Sequence, residues 1–359
     1  MSAPDPEPVT PHGEHARPPA RGDRWAAFKA SPYLPAVVLL FIIAAAAGLF
    51  AGSYTYAMAN PTPRNIPAAV VGDLDTVHDK IFLDRLEAAL DTSLVLREYA
   101  TEADARTALE EQRIFGILRP ENGGVGLDVA SASGASVAQL LAESTLKVGE
   151  AAHVQVKVTD VKPLQRGDPR GLALFYISLA AVIIGFVGAI QLSVHAKGLT
   201  PLERIGFTVA YALLGGFVIA AVVDWVLSSV KLPFLQSWMI LSLTMFTTGM
   251  VFTMFNALMG RWAMIPTWGL MVLLGNPSSG GAVSWPLLPS ALGFIGRWLP
   301  PGASVNAQHA AVYYQGHQRV LPYLVLAGWL LVSCTVFLLW RHRHPESRDH
   351  MPEHAAAAT

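Results

Sequence analysis

Long apolar runs occupy two parts of this chain, and a more polar region separates the first run from the others. A bilayer core of ~30 Å requires about 20 apolar residues at a rise of ~1.5 Å each. Runs of about this length predict membrane-spanning helices at Tyr33–Met58, Gly171–Val194, Ile205–Ser229, Leu235–Gly260 and Leu321–Trp340. The pattern therefore predicts an α-helical polytopic membrane protein.

One further apolar run, Trp262–Gly275, is too short to cross a bilayer alone, because ~14 residues reach only ~21 Å. The sequence NPSSGG at 276–281 follows it, and its proline and glycines are expected to break the helix inside the membrane. A second apolar segment, Val283–Leu299, re-enters and ends at the Pro-Pro-Gly sequence of 300–302. We therefore expect a broken fifth crossing with a re-entrant segment at 276–302, which makes Leu321–Trp340 the sixth transmembrane helix. The other helices are expected to surround this segment, because broken backbone at membrane depth needs protein or water to satisfy its polar groups.

The polar region alternates short strand and helix patterns. Strands are predicted at Ile66–Val71, Leu94–Tyr99, Ile114–Leu118, Val125–Ala130 and Val154–Val161. Helices are predicted at Asp79–Leu90, Thr101–Gln112 and Val137–Val148. Such alternation is typical of a compact α/β domain, here inserted between the first and second transmembrane helices.

The predicted order along the chain is a tail (1–31), the first helix (32–58), the α/β domain (59–170), helices two to six (171–340) and a second tail (341–359). The first tail is expected to be disordered and to end at Asp23–Ser31 either in an amphipathic interface segment or in a plain juxtamembrane anchor. Ala57-Met58-Ala59 imitates a signal-peptidase site, so a cleaved leader is an alternative to a retained first helix. The apolar run exceeds the ~7–15 residues of a signal peptide, which favours the retained helix.

Composition and charge agree with a membrane protein. Of 359 residues, 52% are hydrophobic and 14% charged, whereas a soluble domain usually carries about 25% charged residues. The net charge of -1 gives no electrostatic case for binding nucleic acid. The single cysteine, Cys334, excludes a disulfide within the chain, and its apolar neighbours favour a buried residue over a reactive thiol.

Basic residues near the spans predict the orientation, because cytoplasmic loops carry an excess of lysine and arginine. With the amino terminus inside, the cytoplasmic side holds Arg17, Arg21, Arg24, Lys29, Lys197, Arg204, Arg261, Arg341, Arg343 and Arg348. The short outer loops hold Lys231, Arg297 and Arg319. In this cell-membrane protein both termini are therefore expected in the cytoplasm, and the α/β domain outside it.

The sequence contains no recognisable motif for catalysis, cofactor binding or metal binding. The P-loop pattern, the G-x-S-x-G elbow and the H-E-x-x-H zinc motif are missing, and Ser278 and Ser279 have no identifiable base. A solvated loop with helix-capping acids is favoured over a metal site for the cluster Asp73, Asp75, His78 and Asp79. Compositional bias is favoured over metal binding for the histidines His342, His344, His350 and His354. We therefore expect no enzyme, and any ATPase is expected on a separate subunit.

Asp224 lies toward the outer end of the third span. Burying an ionised carboxylate in a membrane costs a few kcal/mol, so the side chain either faces the bundle interior or reaches the outer interface. Both alternatives stay open. Hydrogen bonding between helices is favoured over substrate contact for the polar residues Gln191, Thr244, Thr247, Thr248 and Asn256.

The order of one span, a large external α/β domain and five further spans resembles the permease subunits of type-2 ABC exporters. More narrowly, the chain resembles the branch that contains phage-infection-type proteins and fungal nitrosoguanidine-resistance proteins. The matching sequences are IPAAVVGDLD (66–75), EADARTALEEQRIFGILRPE (102–121), GNPSSGGAVSWPLLP (275–289) and LPPGASVNAQHAAVYYQG (299–316). This resemblance, which runs from Pro32 to Trp340, implies export of hydrophobic or amphipathic compounds such as drugs, lipids or metabolites. It also implies a homo- or heterodimer of six-helix units that works with a separate ATPase.

Under this interpretation the candidate translocation or gate residues are Asp224, Asn276, Pro277, Ser278, Ser279, Gly280 and Gly281. The proline and glycines are expected to fix the turn, and the serines to satisfy the freed backbone groups. An inert re-entrant cap that only seals the outer face is the alternative.

The candidate ATPase-coupling loop comprises His195, Lys197, Glu203 and Arg204. Exporter permeases usually present a fuller cytoplasmic helix at this place. A second function therefore stays open, in which the protein is an ATP-independent envelope receptor or scaffold whose external domain binds a partner.

Overall fold

The computed structural model describes residues 31, 33–59, 61–72, 77–90, 93–121, 123–315, 317 and 319–344, without the side chains of 77–79. The predicted amino-terminal tail up to residue 30 and the tail from 345 onwards lie outside the described residues. The side chains of the acidic cluster Asp73, Asp75, His78 and Asp79 lie outside them too.

The chain falls into two compact units that divide between Ala51 and Gly52. The first unit contains most of helix α1 (Tyr33–Met58), which is apolar over most of its length. The second unit begins with the last turns of α1 and contains everything that follows, so the α/β domain and the later helices pack as one body.

A mixed five-stranded sheet forms the core of the α/β domain. Its strands are β1 (Ile66–Val71), β2 (Leu94–Tyr99), β3 (Gly116–Glu121), β4 (Gly124–Val129) and β5 (Gln155–Asp160), in the order β2-β1-β3-β4-β5. Only the β3–β4 pair is antiparallel. Three helices cover the sheet: α2 (Val77–Ala89), α3 (Glu102–Glu110) and α4 (Ala135–Ala152). Five strands and three helices lie within a few residues of their predicted positions.

Both faces of the central strands of the sheet are largely buried, as expected for a sheet covered by helices. Ile66 and Ala68 of β1 pack with the side chains of α2 and α4, and Ala69 and Val71 pack with α3 on the other face. The first of these clusters also includes Leu287, which belongs to the broken membrane segment. The domain therefore completes its core with a residue from outside the domain.

Five helices in the described part of the chain are long and apolar enough to cross a membrane. Besides α1 they are α5 (Ala173–His195), α6 (Pro201–Ala221), α7 (Phe234–Met259) and the last helix, α11 (Leu321–Arg343). This confirms the predicted class of helical membrane protein at the level of its long helices. Small residues allow close packing, since a Cβ at Gly216 of α6 would lie 2.5 Å from the Ser242 Oγ of α7.

The predicted broken segment is a series of short pieces between α7 and α11. Helix α8 (Met264–Trp268) continues as a π-helix, Gly269–Gly275, and a turn region follows. Two short 3₁₀ turns, Trp285–Leu287 and Gly296–Trp298, flank helix α9 (Ser290–Ile295), so this second part is not a continuous helix.

A further helix, α10 (Pro300–Tyr313), begins at the Pro-Pro-Gly sequence that marks the predicted end of the re-entrant segment. Sequence analysis predicted no helix over these 14 residues. The two prolines occupy the first turn of the helix, where the missing N–H groups cost no intrahelical hydrogen bond. Most of α10 is buried against α5, α7 and α11.

Candidate functional site

The turn that follows the π-helix satisfies its own backbone with serine side chains. The last carbonyls of a helix have no partner further along it. Ser278 Oγ donates to the carbonyl oxygen of Leu274 at 2.7 Å, and Ser279 Oγ donates to that of Asn276 at 2.7 Å. Ser279 Oγ also accepts from Gly281 N at 3.4 Å. The two serines therefore make the contacts that sequence analysis assigned to them.

Gly280 and Trp285 hold the turn closed. Gly280 has φ +81°, which residues with a side chain rarely adopt, and a Cβ there would lie 2.5 Å from Trp285 Nε1. Trp285 Nε1 donates to the carbonyl oxygen of Ser278 at 3.2 Å. At Gly281 a Cβ would meet the ring of Phe175 at 2.7 Å. The indole and the two glycines thus fix one conformation of this turn.

Two pieces of the broken segment and the start of α10 approach one another at backbone distance. A Cβ at Gly296 would lie 1.7 Å from the Ser278 carbonyl oxygen, and a Cβ at Gly302 would lie 2.1 Å from the Gly296 carbonyl oxygen. A Cβ at Gly275 would lie 2.6 Å from Cγ of Pro301. The turn, the second 3₁₀ turn and the start of α10 are therefore packed without space for side chains between them.

Asn276 sits at the end of the π-helix with only 2% of its surface exposed. Its Nδ2 is a buried donor without a hydrogen-bond partner in the described residues. Ser53 Oγ donates to the Leu273 carbonyl oxygen at 2.5 Å. The last turns of α1 thus contact the π-helix at the point where it ends. Pro277, the next residue, is also buried.

The broken segment is bonded to the α/β domain. Ser284 Oγ lies 2.9 Å from Ser136 Oγ, and Ser284 N donates to the same hydroxyl at 3.1 Å. Arg64 N, just before β1, donates to the Pro286 carbonyl oxygen at 2.7 Å. Between the two parts lies a small cavity of about 50 Å³, lined in part by Ser279, Gly280 and Gly281.

Two tyrosines at the end of α10 contact the same domain. The Tyr314 hydroxyl lies 2.5 Å from Ser133 Oγ, and burial raises the pKa of Tyr314 to about 12, so its hydroxyl is neutral at physiological pH. Gln165 N donates to the Tyr313 hydroxyl at 3.4 Å. Movement of the domain relative to α10 would therefore break the hydrogen bonds that these two tyrosines make with the domain.

Asp224 lies apart from this turn, in a π-helical turn (Val222–Val226) that ends α6. It is 6% exposed, and its Oδ1 lies 3.5 Å from Nζ of the exposed Lys231. Its neighbour Trp225 stacks on Phe234 with ring centroids 4.4 Å apart. The carboxylate is thus buried at the helix end and paired with a lysine from the following loop, which combines features of both expected alternatives.

The loop between α5 and α6 is closed by local bonds. Glu203 and Thr200 form a capping box, with Thr200 N donating to Glu203 Oε2 at 2.8 Å. His195 Nδ1 lies 3.1 Å from the Gln191 carbonyl oxygen. Lys197 and Arg204 instead line a cavity of about 440 Å³ with Arg341 and His344 at the end of α11. The structure therefore gives Glu203 a capping role and brings Lys197 and Arg204 to an open basic cavity.

Polar side chains of α7 form hydrogen bonds with the neighbouring helices α10 and α11. Thr244 Oγ1 donates to Ser304 Oγ of α10 at 2.8 Å, and Thr247 Oγ1 donates to the Leu326 carbonyl oxygen of α11 at 3.3 Å. Among the described residues, Thr248 Oγ1 donates to carbonyl oxygens of α7 itself. Gln308 of α10, which sequence analysis did not select, donates through Nε2 to the Ser237 carbonyl oxygen at 3.0 Å.

Sequence analysis also missed Trp285, Gly296 and Gly302 as parts of the site. A glutamine within an apolar segment is a usable signal for Gln308, whereas nothing in the local sequence distinguishes these glycines from ordinary turn residues. No protein-family model, curated protein or solved structure matches the chain.

Proposed function

We propose that this chain is the membrane-spanning, permease-like subunit of a type-2 ABC-type exporter that moves hydrophobic or amphipathic compounds with a separate ATPase. The observation that carries the proposal is the broken segment. It packs at backbone distance against α10 through Gly296 and Gly302 and is bonded to the α/β domain through Ser284 and Ser136. Broken helices of this kind line the substrate paths of transporters.

In this proposal the chain crosses the membrane six times, and the α/β domain lies outside the cell. The domain meets the ends of α6 and α10 through Gln165, which bonds Lys231 and Tyr313. The opposite helix ends carry Lys197, Arg204, Arg261, Arg341 and Arg343. That distribution favours a cytoplasmic location for these ends and for both termini.

The basic cavity at the proposed cytoplasmic end supports the proposal of a separate ATPase subunit. Lys197, Arg204 and Arg341 face the same space of about 440 Å³, and they offer a docking point for an acidic segment of the ATPase. The π-helical turns at the ends of α6 and α8 support the proposal that these helices move during transport, because such turns are frequent at functional sites. A dimer of two such subunits completes the transporter.

Purification of the tagged protein in a mild detergent tests this function. We expect an ATPase subunit to co-elute, and we expect the double variant Lys197→Glu, Arg341→Glu to reduce its recovery by about tenfold or more, as loss of a charged docking contact would. The control is Lys147→Glu, Arg166→Glu, the same charge change at exposed positions of the α/β domain. Equal recovery in all three proteins, or no ATPase at all, contradicts the proposal.

A second function has one specific observation in its favour. Only residues 196–200 separate α5 from α6, and this loop is too short for the coupling helix that exporter permeases usually carry. An ATP-independent receptor or scaffold needs no such helix. A stable oligomer that purifies without an ATPase, together with a partner held by the α/β domain, favours this alternative.

A further inference from the structure

Five arginines from separate parts of the chain line one cavity of about 530 Å³ where the α/β domain meets the helices. The residues that line this arginine cavity include Arg64, Arg97, Arg113, Arg297 and Arg319. Of the described residues, no aspartate or glutamate lines it. The cavity therefore concentrates positive charge in a protein whose net charge is -1.

The described residues neutralise little of this charge. Arg113 is paired with Glu111 at 2.6 Å. Arg319 donates to the carbonyl oxygens of Glu111 and Gln112 at 2.7 and 2.8 Å, which orients its guanidinium without cancelling its charge. The guanidinium carbon of Arg297 lies 4.9 Å from the centroid of the Trp285 ring, and this contact also orients the group without cancelling its charge.

Arg64 and Arg97 are exposed, and their side chains have no hydrogen-bond or ion-pair partner among the described residues. Burial, together with repulsion from Arg297 and Arg113, lowers the pKa of Arg319. An anion in the cavity would relieve this repulsion and take hydrogen bonds from several guanidinium groups.

The wall of the arginine cavity is apolar on the side of the membrane segment. Leu288, Phe294 and Leu321 contribute to it. Leu321 also begins a groove along the last transmembrane helix, which we call the α11 groove. Its lining consists of Trp298, Leu321, Leu324, Val325, Gly328, Trp329 and Val332, with a volume of about 480 Å³. The arginine cavity and the α11 groove thus share Leu321.

The dimensions and position of the groove fit an acyl chain. From Leu321 to Val332 the helix rises ~17 Å. Gly328 has no atom within 4 Å of the place where a Cβ would lie, so the groove is open at its middle. Trp298 in its lining is exposed, and tryptophan favours the level of the lipid headgroups.

We infer that the arginine cavity binds the anionic phosphate headgroup of a membrane lipid whose acyl chain lies in the α11 groove. A free phosphate ion would use the arginines but gain nothing from the groove. The inference requires a membrane location and does not depend on export, because binding is an equilibrium property of this chain alone.

The test uses the full chain, purified in a nonionic detergent and titrated with phosphatidylglycerol, phosphatidylcholine and inorganic phosphate, with bound lipid counted by native mass spectrometry. We expect phosphatidylglycerol to bind at least about tenfold more tightly than either other probe. The variant Arg64→Gln, Arg97→Gln, Arg297→Gln removes three of the four cavity arginines that have no carboxylate partner among the described residues, and we expect it to abolish this preference. Its control, Arg85→Gln, Lys147→Gln, Arg166→Gln, removes three positive charges elsewhere on the domain and is expected to retain it.

A second variant tests the groove without changing any charge. Gly328→Leu fills the middle of the α11 groove and is expected to weaken phosphatidylglycerol binding by about tenfold. Gly206→Leu is the control, because Gly206 of α6 also has open space around its Cβ position. Equal binding of phosphatidylglycerol and phosphatidylcholine, equal losses in a variant and its control, or phosphate binding as tight as lipid binding would overturn the inference.

Discussion

At the scale of single residues, the broken segment depends on positions where a side chain is excluded. The serines of the turn were identifiable from the sequence, because hydroxyl groups next to a helix break satisfy freed carbonyls, and Ser278 and Ser279 do so. The contact between this turn and Gly296 was not identifiable from the sequence. Gly296 reaches the Ser278 carbonyl oxygen only because α9 folds back, and no local pattern encodes that approach.

Gly296→Ala is therefore predicted to destabilise the protein. Its Cβ would lie 1.7 Å from a backbone oxygen that belongs to a buried turn, so backbone must move, at a cost of about 1–3 kcal/mol or more. We expect a lower midpoint of thermal unfolding in detergent. Gly269→Ala is the matched control in the same segment, since it has no atom within 4 Å, and its midpoint is expected to stay at the parent value or rise. Equal midpoints for the two variants would show that the close approach is not needed.

At the scale of elements, the spacing and length of the apolar runs predicted the elements that local sequence determines. The strands and helices of the α/β domain follow from alternation and helical spacing, and the long helices follow from length. The predicted third strand, Ile114–Leu118, lies at Gly116–Glu121 and contains Pro120. Its pairing with β1 ends at Leu118, so the missing N–H of Pro120 costs no bond on that side. Helix α10 escaped prediction because its prolines were interpreted only as an end, although proline is equally suited to a first helical turn.

The contact between the broken segment and the α/β domain gives a prediction at this scale. Leu287 is 3% exposed and packs in the core of the domain although it lies far away in sequence. Leu287→Ala is expected to destabilise the protein by about 2–5 kcal/mol, as for other buried leucines, and to lower the thermal midpoint. Leu331→Ala of α11, where the leucine is 66% exposed, is expected to cause little change in detergent. A midpoint unchanged by Leu287→Ala would mean that the domain and the segment do not share a core.

At the scale of the whole molecule, the arrangement brings together charges that the sequence keeps apart. The arginine cavity collects residues between positions 64 and 319, and periodicity carries no information about such long-range assembly. The distribution of basic residues along the chain does predict orientation. By this rule the loop of 196–200 and the end of α11 are expected on the cytoplasmic side, and the α/β domain on the other side.

This orientation predicts the labelling of single cysteines in intact cells. In a Cys334→Ser background, Ala103→Cys on α3 and Gly198→Cys in the loop after α5 are both exposed, and Gly198 has no atom within 4 Å of its Cβ position. A membrane-impermeant maleimide is expected to label position 103 in whole cells and position 198 only after the membrane is opened. Both cysteines react similarly in the solubilised protein, which controls for reactivity. The opposite pattern would put the α/β domain in the cytoplasm, and the positive charges at the ends of α5, α6 and α11 would then face the outer side, against the rule that sets the orientation of most helical membrane proteins.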